Sequence, residues 1–443
     1  MAAHTKIDLY QMQSLPLDAK IRMTARRIDA FIDRNDAYLS ISGGKDSRVL
    51  DDIERRFVRA KLPRVFIDTG LEHRSVRACG KKHADIILRP EKNFKQIITE
   101  YGYPVISKEV AQTIAEARKG LKNGNCYTYR MAKLNGTAVD KNGDKSKYNI
   151  PQYKFLLDAP FRISHKCCDY MKKKPAKQYE KETGRLPIVA TMAEESNLRL
   201  QKWLKHGCNA FDLKRPMSAP MSFWSENDVL EYLFKYELDY AECYGKIIPK
   251  LDKEQIEGQI TIYEATNDYR GCQFCTTGCK RTGCIFCLFG ILQDKDRIIK
   301  LEKEDKRLAD YVLNGGEYDN EGMWIPTNKG LGYIKILDFL KENGLDIVPR
   351  SVWTLGHRPK CSPEGMVYLG GGTWVDIYLN SDDGAKGLKS EYGCAPMTGT
   401  ESMNWYNFVE RLAKSGKNNV IRQIKRCLFR QIKTGLSEHL TMG

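Results

Sequence analysis

No run of apolar residues in this sequence approaches the roughly 18 that a membrane-spanning helix needs, so no segment is expected to cross a bilayer. The N-terminal stretch lacks the apolar centre of a secretory signal, which leaves the cytoplasm as the expected compartment. Histidine is scarce, at 7 of 443 residues, and none lies beside the cysteines between 272 and 287 to complete a zinc finger. Internal repeats are absent too, which removes solenoid and propeller architectures. What is present is a chain with 42% hydrophobic and 29% charged residues, enough to bury cores in two or three domains.

Acid is the charge in deficit. The formal net charge is +16, a field that favours polyanions: nucleotides, nucleic acid or an anionic membrane surface. It does not choose among them. The 14 cysteines, in a chain expected in the cytoplasm, point to metal ligation or redox chemistry rather than a disulfide framework.

The most informative stretch is Ser42, Gly43, Gly44, Lys45, Asp46 and Ser47. A short apolar run, 37–41, precedes it, and Val49, Leu50, Ile53 and Phe57 follow at helical spacing. Val65, Phe66 and Ile67 then read as a second strand. A glycine pair between strand and helix lets the backbone approach an oxyanion, and the helix N-terminus offers free N–H groups and the positive end of its dipole. Ser42 and Ser47 can add hydroxyl donors and Lys45 a point charge. The Walker spacing, four residues between the glycines before Lys-Ser/Thr, is missing.

Along the chain, residues 1–36 read as a helical lead-in, with Ile21, Ala25, Ile28 and Phe31 at helical steps. Residues 37–240 read as an α/β nucleotide-binding domain, with a third strand at 84–88 and an edge strand or turn at 104–106. Within it, the Lys-, Asn- and Gly-rich segment 117–150 reads as an exposed basic insertion or lid. A further strand spans 186–190, followed by a helix through Trp203, and Ser225 caps a helix over 225–236. Residues 241–292 form a cysteine-rich segment and 293–443 a mixed C-terminal domain. Helices are expected there at 295–313, 333–343 and 417–435, the last with Arg422, Lys425, Arg426 and Lys433 on one face.

Cys167 and Cys168 are followed by a basic segment and Pro175. Downstream, Cys272, Cys275, Cys279, Cys284 and Cys287 include two Cys-x2-Cys pairs, whose tight turn lets both thiolates grip one metal centre.

The hexapeptide resembles the PP-loop of adenine-nucleotide α-hydrolases. The paired cysteines, the basic segment and the later Cys284-x2-Cys287 resemble the iron–sulfur pattern of the phosphoadenosine phosphosulfate (PAPS) reductase-like family, in a form common among phage-encoded members. The resemblance implies an α/β fold with a doubly wound parallel sheet, a cysteine-rich insertion and an α+β C-terminal domain. It assigns phosphate binding to residues 42–47, with Lys45 and Asp46 as catalytic groups, and a [4Fe–4S] cluster to Cys167, Cys168, Cys284 and Cys287. Zinc is the alternative for the cysteines, and Cys272, Cys275 and Cys279 are either half a zinc site or substitutes within the four. Asp68, Thr69, Gly70 and Glu72 match the family segment that borders the adenosine pocket, where Asp68 would orient Mg²⁺ or ribose hydroxyls or else cap its loop. Glu195, Ser196 and Arg199 match its second nucleotide-binding segment, although Ala190 and Met192 stand where Gly and Arg are usual.

The nucleotide is ATP or an adenosine phosphosulfate. Family reductases carry a nucleophilic cysteine in a C-terminal tail, whereas this sequence ends Leu440, Thr441, Met442, Gly443, with Cys394 the partial echo. That difference favours ATP-driven sulfur transfer, with DNA or tRNA as acceptor and a thiol or persulfide protein as donor. Phosphosulfate reduction is the alternative, and a non-catalytic nucleotide- and redox-sensing DNA-binding regulator is a third.

Overall fold

The computed structural model describes residues 4–126, 128–250, 271–295, 297–345 and 347, together with short strands between 366 and 389. These fall into two compact units, one of Met1–Arg297 and Asp310–Phe339, the other of Ile298–Ala309 and Leu340–Gly443. The helix expected at 417–435 and Cys394 lie outside the described residues.

The first unit opens with helices α1 (Lys6–Gln13) and α2 (Leu17–Ile32). The expected strand–turn–helix–strand follows as β1 (Ala37–Ile41), α3 (Lys45–Phe57) and β2 (Arg64–Ile67). Next come α4 (Arg74–His83), β3 (Ile86–Leu88), α5 (Phe94–Tyr101), β4 (Val105–Ile106), α6 (Lys108–Lys122) and α7 (Tyr129–Asn135). Beyond a π turn at Asp169–Lys173 lie α8 (Lys174–Thr183), β5 (Leu186–Val189), α9 (Asn197–His206), β6 (Asn209–Ala210), β7 (Met217–Ser218) and α10 (Glu226–Lys235). Three more strands, β8 (Ile247–Pro249), β9 (Phe274–Thr276) and β10 (Leu288–Phe289), belong to the cysteine-rich region.

The central sheet has the order β3-β2-β1-β5-β7-β6. All its pairings are parallel except β6 with β7, which departs from an all-parallel expectation. The departure follows from a short return: a hairpin-like connection of a few residues can join only antiparallel neighbours. Alternation along β1 divides its side chains between two faces. Leu39 and Ile41 pack with Ile21, Ile28 and Phe31 of α2, Val49 and Leu50 of α3, and Val229 of α10. Tyr38 packs on the other face with Val65 and Tyr179 of α8. Helices on both faces make the sheet doubly wound.

Two expectations are revised. Residues 117–150 are not simply an exposed insertion: α6 continues to Lys122, and Met131, Leu134 and Ala138 are buried. The single helix expected at 295–313 is two, Arg297–Glu304 and Lys306–Leu313, because the Asp305 carboxylate accepts the Leu308 N–H at 3.1 Å and starts a new helix. In the second unit the described strands form two antiparallel pairs, Met366–Gly370 with Thr373–Asp376 and Ser381–Asp382 with Leu388–Lys389.

Charge is buried inside the first unit, and it is paired. Arg64 on β2 is 6% exposed; its Nε donates to Asp51 at 2.5 Å, its Nη2 pairs with Glu54, and its Nη1 donates to the Leu62 carbonyl at 2.9 Å. Removing one partner from such a cluster leaves a buried charge without compensation. Arg64→Met is therefore expected to cost about 3 kcal/mol in urea unfolding; a loss below about 1 kcal/mol would show the cluster to be dispensable.

Candidate functional site

The turn after β1 is shaped for close backbone approach. Gly43 has φ 76°, and a Cβ there would lie 2.1 Å from the Val76 carbonyl oxygen of α4, so only glycine fits. Gly44 caps α3 without a side-chain bond of its own. The two serines spend their hydroxyls inside the turn rather than pointing them outward. Ser47 Oγ donates to the Gly44 carbonyl at 2.9 Å and lies 3.0 Å from Ser42 Oγ, which accepts the Gly44 N–H at 3.3 Å.

A roof covers this turn. The Lys45 N–H donates to the Tyr244 hydroxyl at 3.3 Å, and that hydroxyl shares a 2.8 Å hydrogen bond with Thr282. The Lys45 side chain is 6% exposed, with its Nζ 3.2 Å from Glu226 and 3.7 Å from Asp46. It also donates to the Lys280 carbonyl at 3.3 Å. Burial raises the Asp46 pKa; Lys45 opposes the shift, while Glu195 and Glu226 reinforce it. The Asp46 Oδ1 is buried without a hydrogen-bond partner. Ser196 caps α9 by accepting the Arg199 N–H at 3.3 Å, and the Arg199 guanidinium pairs with Glu195. Asp46, Glu195 and Arg199 thus share one electrostatic neighbourhood, with Arg199 already partnered.

After β2, Asp68 is ion-paired. Its carboxylate receives Arg77 at 2.6 and 2.9 Å and Lys81 at 2.9 Å. The Arg77 hydrogen bond is the main cause that holds its pKa down at about 2. Thr69 Oγ1 donates to Glu72 at 2.6 Å and accepts the Leu71 N–H at 3.1 Å. Gly70 takes a left-handed φ of 73°.

The four expected cysteines come from distant parts of the chain, and β4 draws them together. The Ser164 N–H donates to the Tyr103 carbonyl at 3.0 Å just before β4, which brings in the segment leading to Cys167. On its other side, β4 pairs in parallel with β10, directly after Cys287. Cys167 and Cys168 with Lys172, and Cys284 with Cys287, act electrostatically on one another. The Cys167 thiol, with Lys108 and Lys172, lowers the pKa of the Cys168 thiol, whereas burial pushes that of Cys287 up to about 12. Arg297 Nη1 donates to the Cys287 carbonyl at 3.0 Å. No three of the four sulfurs lie within 4.8 Å of one another.

The other three cysteines diverge. Cys272 is 3% exposed and belongs to the main hydrophobic core, Cys275 sits on β9 opposite Ile248, and the Cys279 N–H donates to the Cys243 carbonyl at 2.8 Å. The cysteine segment meets the loop after β2 directly, since the Ile285 N–H donates to the Leu71 carbonyl at 2.7 Å. Beside the turn opens a cavity of about 320 Å³, with Tyr38, Phe66 and Pro187 as walls and Ser42, Lys172 and Arg215 at its polar edge. That volume is within the range of small-ligand sites. Sequence reasoning did not reach Tyr244, Glu226 or Lys280. No motif marks them, and only their packing against the turn does.

No protein-family model and no curated protein matches the chain. A solved structure of phosphoadenylyl-sulfate (PAPS) reductase from Candida auris, a phosphate complex, is similar over 54% of this chain and 91% of that one. The sequence identity is 13% and the TM-score 0.28, so the likeness carries no weight for function. No helix among the described residues is long and apolar enough to cross a membrane.

The Tyr244 hydroxyl holds the position of an acceptor for the Lys45 N–H, so an anion on the turn must displace it. Tyr244→Phe removes that one neutral hydrogen bond and is expected to strengthen pyrophosphate binding two- to about fivefold in calorimetric titration; unchanged or weaker binding would give the hydroxyl a different role. Asp68 has a depressed folded-state pKa, so its contribution to stability is present above its unfolded value near 3.8 and lost as pH falls through about 2. Asp68→Asn should flatten the loss of stability between about pH 4 and 2 in denaturant titrations; an unaltered slope would contradict the Arg77 pairing.

Proposed function

We propose that the protein is an adenine-nucleotide-dependent enzyme of sulfur chemistry, with residues 42–47 as the phosphate cradle and Cys167, Cys168, Cys284 and Cys287 as ligands of a [4Fe–4S] cluster. One observation supports this above the rest. The segment that carries Cys284 also covers the turn through the Lys280 carbonyl on Lys45, and reaches the loop after β2 through Ile285 on Leu71.

The donor set fits such a cluster. Four thiols lie in a mostly buried site with the Glu72 carboxylate near Cys284 and with Lys108, Lys172 and Arg297, which offset thiolate charge. Tetrahedral zinc at a Zn–S distance of about 2.3 Å would bring the sulfurs to about 3.8 Å of one another. Zinc is the alternative for the same four thiols, and metal analysis separates the two. When bound, the cluster would supply a redox-active, sulfur-binding centre next to the nucleotide.

The remaining roles fall to side chains and amides. Turn amides and Lys45 would hold the phosphates and offset the charge of departing pyrophosphate. Asp46, with Glu195 and Glu226 behind it, would hold Mg²⁺ through its Oδ1, which has no hydrogen-bond partner and lies 3.7 Å from Lys45 Nζ. The adenosine would occupy the cavity beside Ser42, against Tyr38 and Phe66. In the favoured reaction an acceptor oxygen attacks the α-phosphorus of ATP and pyrophosphate leaves. The outer sulfur of a donor persulfide then displaces AMP from the activated acceptor, and a second donor thiol cleaves the resulting S–S bond, leaving sulfur on the acceptor and a disulfide on the donor. The net charge of +16 fits DNA or tRNA as that acceptor.

Anaerobically purified protein should carry about four irons and four labile sulfides per chain, lost on Cys284→Ala. Incubated with ATP, acceptor and sulfur donor, it should release AMP and pyrophosphate. Sulfite and adenosine bisphosphate formed from a phosphosulfate would replace transfer by reduction, and nucleotide binding without either product would make the protein a regulator. Zinc in place of iron and sulfide would overturn the cluster.

A further inference from the structure

A second cavity, of about 230 Å³, lies between the N-terminal helices and the end of α9. Its lining includes His4, Met12, Arg27, Trp203, His206 and Cys208. Two of these residues carry an unanswered hydrogen-bond donor. The Trp203 Nε1 and the Arg27 Nη1 are both buried, and neither finds an acceptor in the protein. Trp203 itself is 2% exposed. A buried donor left without an acceptor is costly, so two on one cavity call for an acceptor that enters from outside.

The rest of the lining specifies the charge of that acceptor. No aspartate or glutamate faces the cavity. The Arg27 guanidinium lies 4.4 Å over the Phe223 ring, which orients it without neutralising it. The His206 imidazole is held by Asp212 at 2.8 Å, and Asp212 lies outside the lining. His4 stacks on Trp203 with ring centroids 4.9 Å apart, giving one wall an aromatic surface. The cavity therefore offers a guanidinium, an indole N–H and imidazoles, with apolar surface from Met12 and the stacked rings.

We propose that this cavity is a binding site for a small oxyanion, a carboxylate or an inorganic tetrahedral anion, held by Arg27 Nη1 and Trp203 Nε1. An anionic oxygen satisfies both donors and makes charge-assisted bonds to them. The site is separate from the phosphate turn and does not depend on the function proposed for it.

The experiment follows the indole N–H resonance of Trp203 in the ¹⁵N-labelled full chain, titrated with sulfate or with malonate at ionic strength matched by chloride. Trp203→Phe identifies the resonance. A saturable shift with either anion, retained in Lys45→Met, supports the site; sulfate alone would mark an inorganic ligand and malonate alone a carboxylate. Arg27→Met, which keeps an unbranched apolar stem against Phe223, should weaken the affinity about tenfold or more. A shift reproduced by chloride, a response that never saturates, or full affinity in Arg27→Met would overturn the proposal and leave an ordered water as the donors' partner. The wild-type titration decides even if a variant does not fold.

Discussion

The contact between the Lys45 backbone and the segment that carries Cys284 is the constraint on which the site depends. The Lys45 N–H and Nζ are the first polar groups of α3, where free donors and the helix dipole favour an anion. In this structure the Tyr244 hydroxyl and the Lys280 carbonyl take those donors. The same segment runs on through Thr282 to Cys284 and Ile285, and Ile285 is bonded to the loop after β2. Whatever binds the turn and whatever the cysteines hold must therefore be accommodated by one stretch of backbone.

Charge explains why the arrangement can be buried at all. Lys45 lies among Asp46, Glu195 and Glu226, and their mutual repulsion helps to raise the Asp46 pKa. On the cysteine side the imbalance is reversed, with Lys108, Lys172 and Arg297 facing thiols that would ionise on metal binding. Between the two sides, Glu72 meets Thr69 and lies 4.0 Å from Lys172. Carboxylates thus gather around Asp46 and cations around the cysteines, with Glu72 reaching Cys284 as well.

Much of this was legible in the sequence. The strand–turn–helix around Gly43 and Gly44 could be read because glycine pairs and apolar periodicity are local signals, and β1, α3 and β2 follow them closely. The Ser225 cap was equally local. The convergence of Cys167 and Cys168 with Cys284 and Cys287 was read from a family resemblance; no local pattern could have supplied it, because β4 makes the link through long-range pairing with β10. The partners of Asp68 were not legible, because Arg77 and Lys81 stand nine and thirteen residues away, on a helix whose docking the sequence does not reveal. Tyr244 was invisible for the same reason, as a tyrosine that matters only through where its hydroxyl ends.

The most direct test asks whether the two halves of the site sense each other. The electron paramagnetic resonance spectrum of the reduced, anaerobically purified protein should show an iron–sulfur signal that changes when pyrophosphate or a non-hydrolysable ATP analogue is added, with Lys45→Met abolishing the change. A cluster signal indifferent to saturating nucleotide would separate the turn from the cysteines and contradict a shared site.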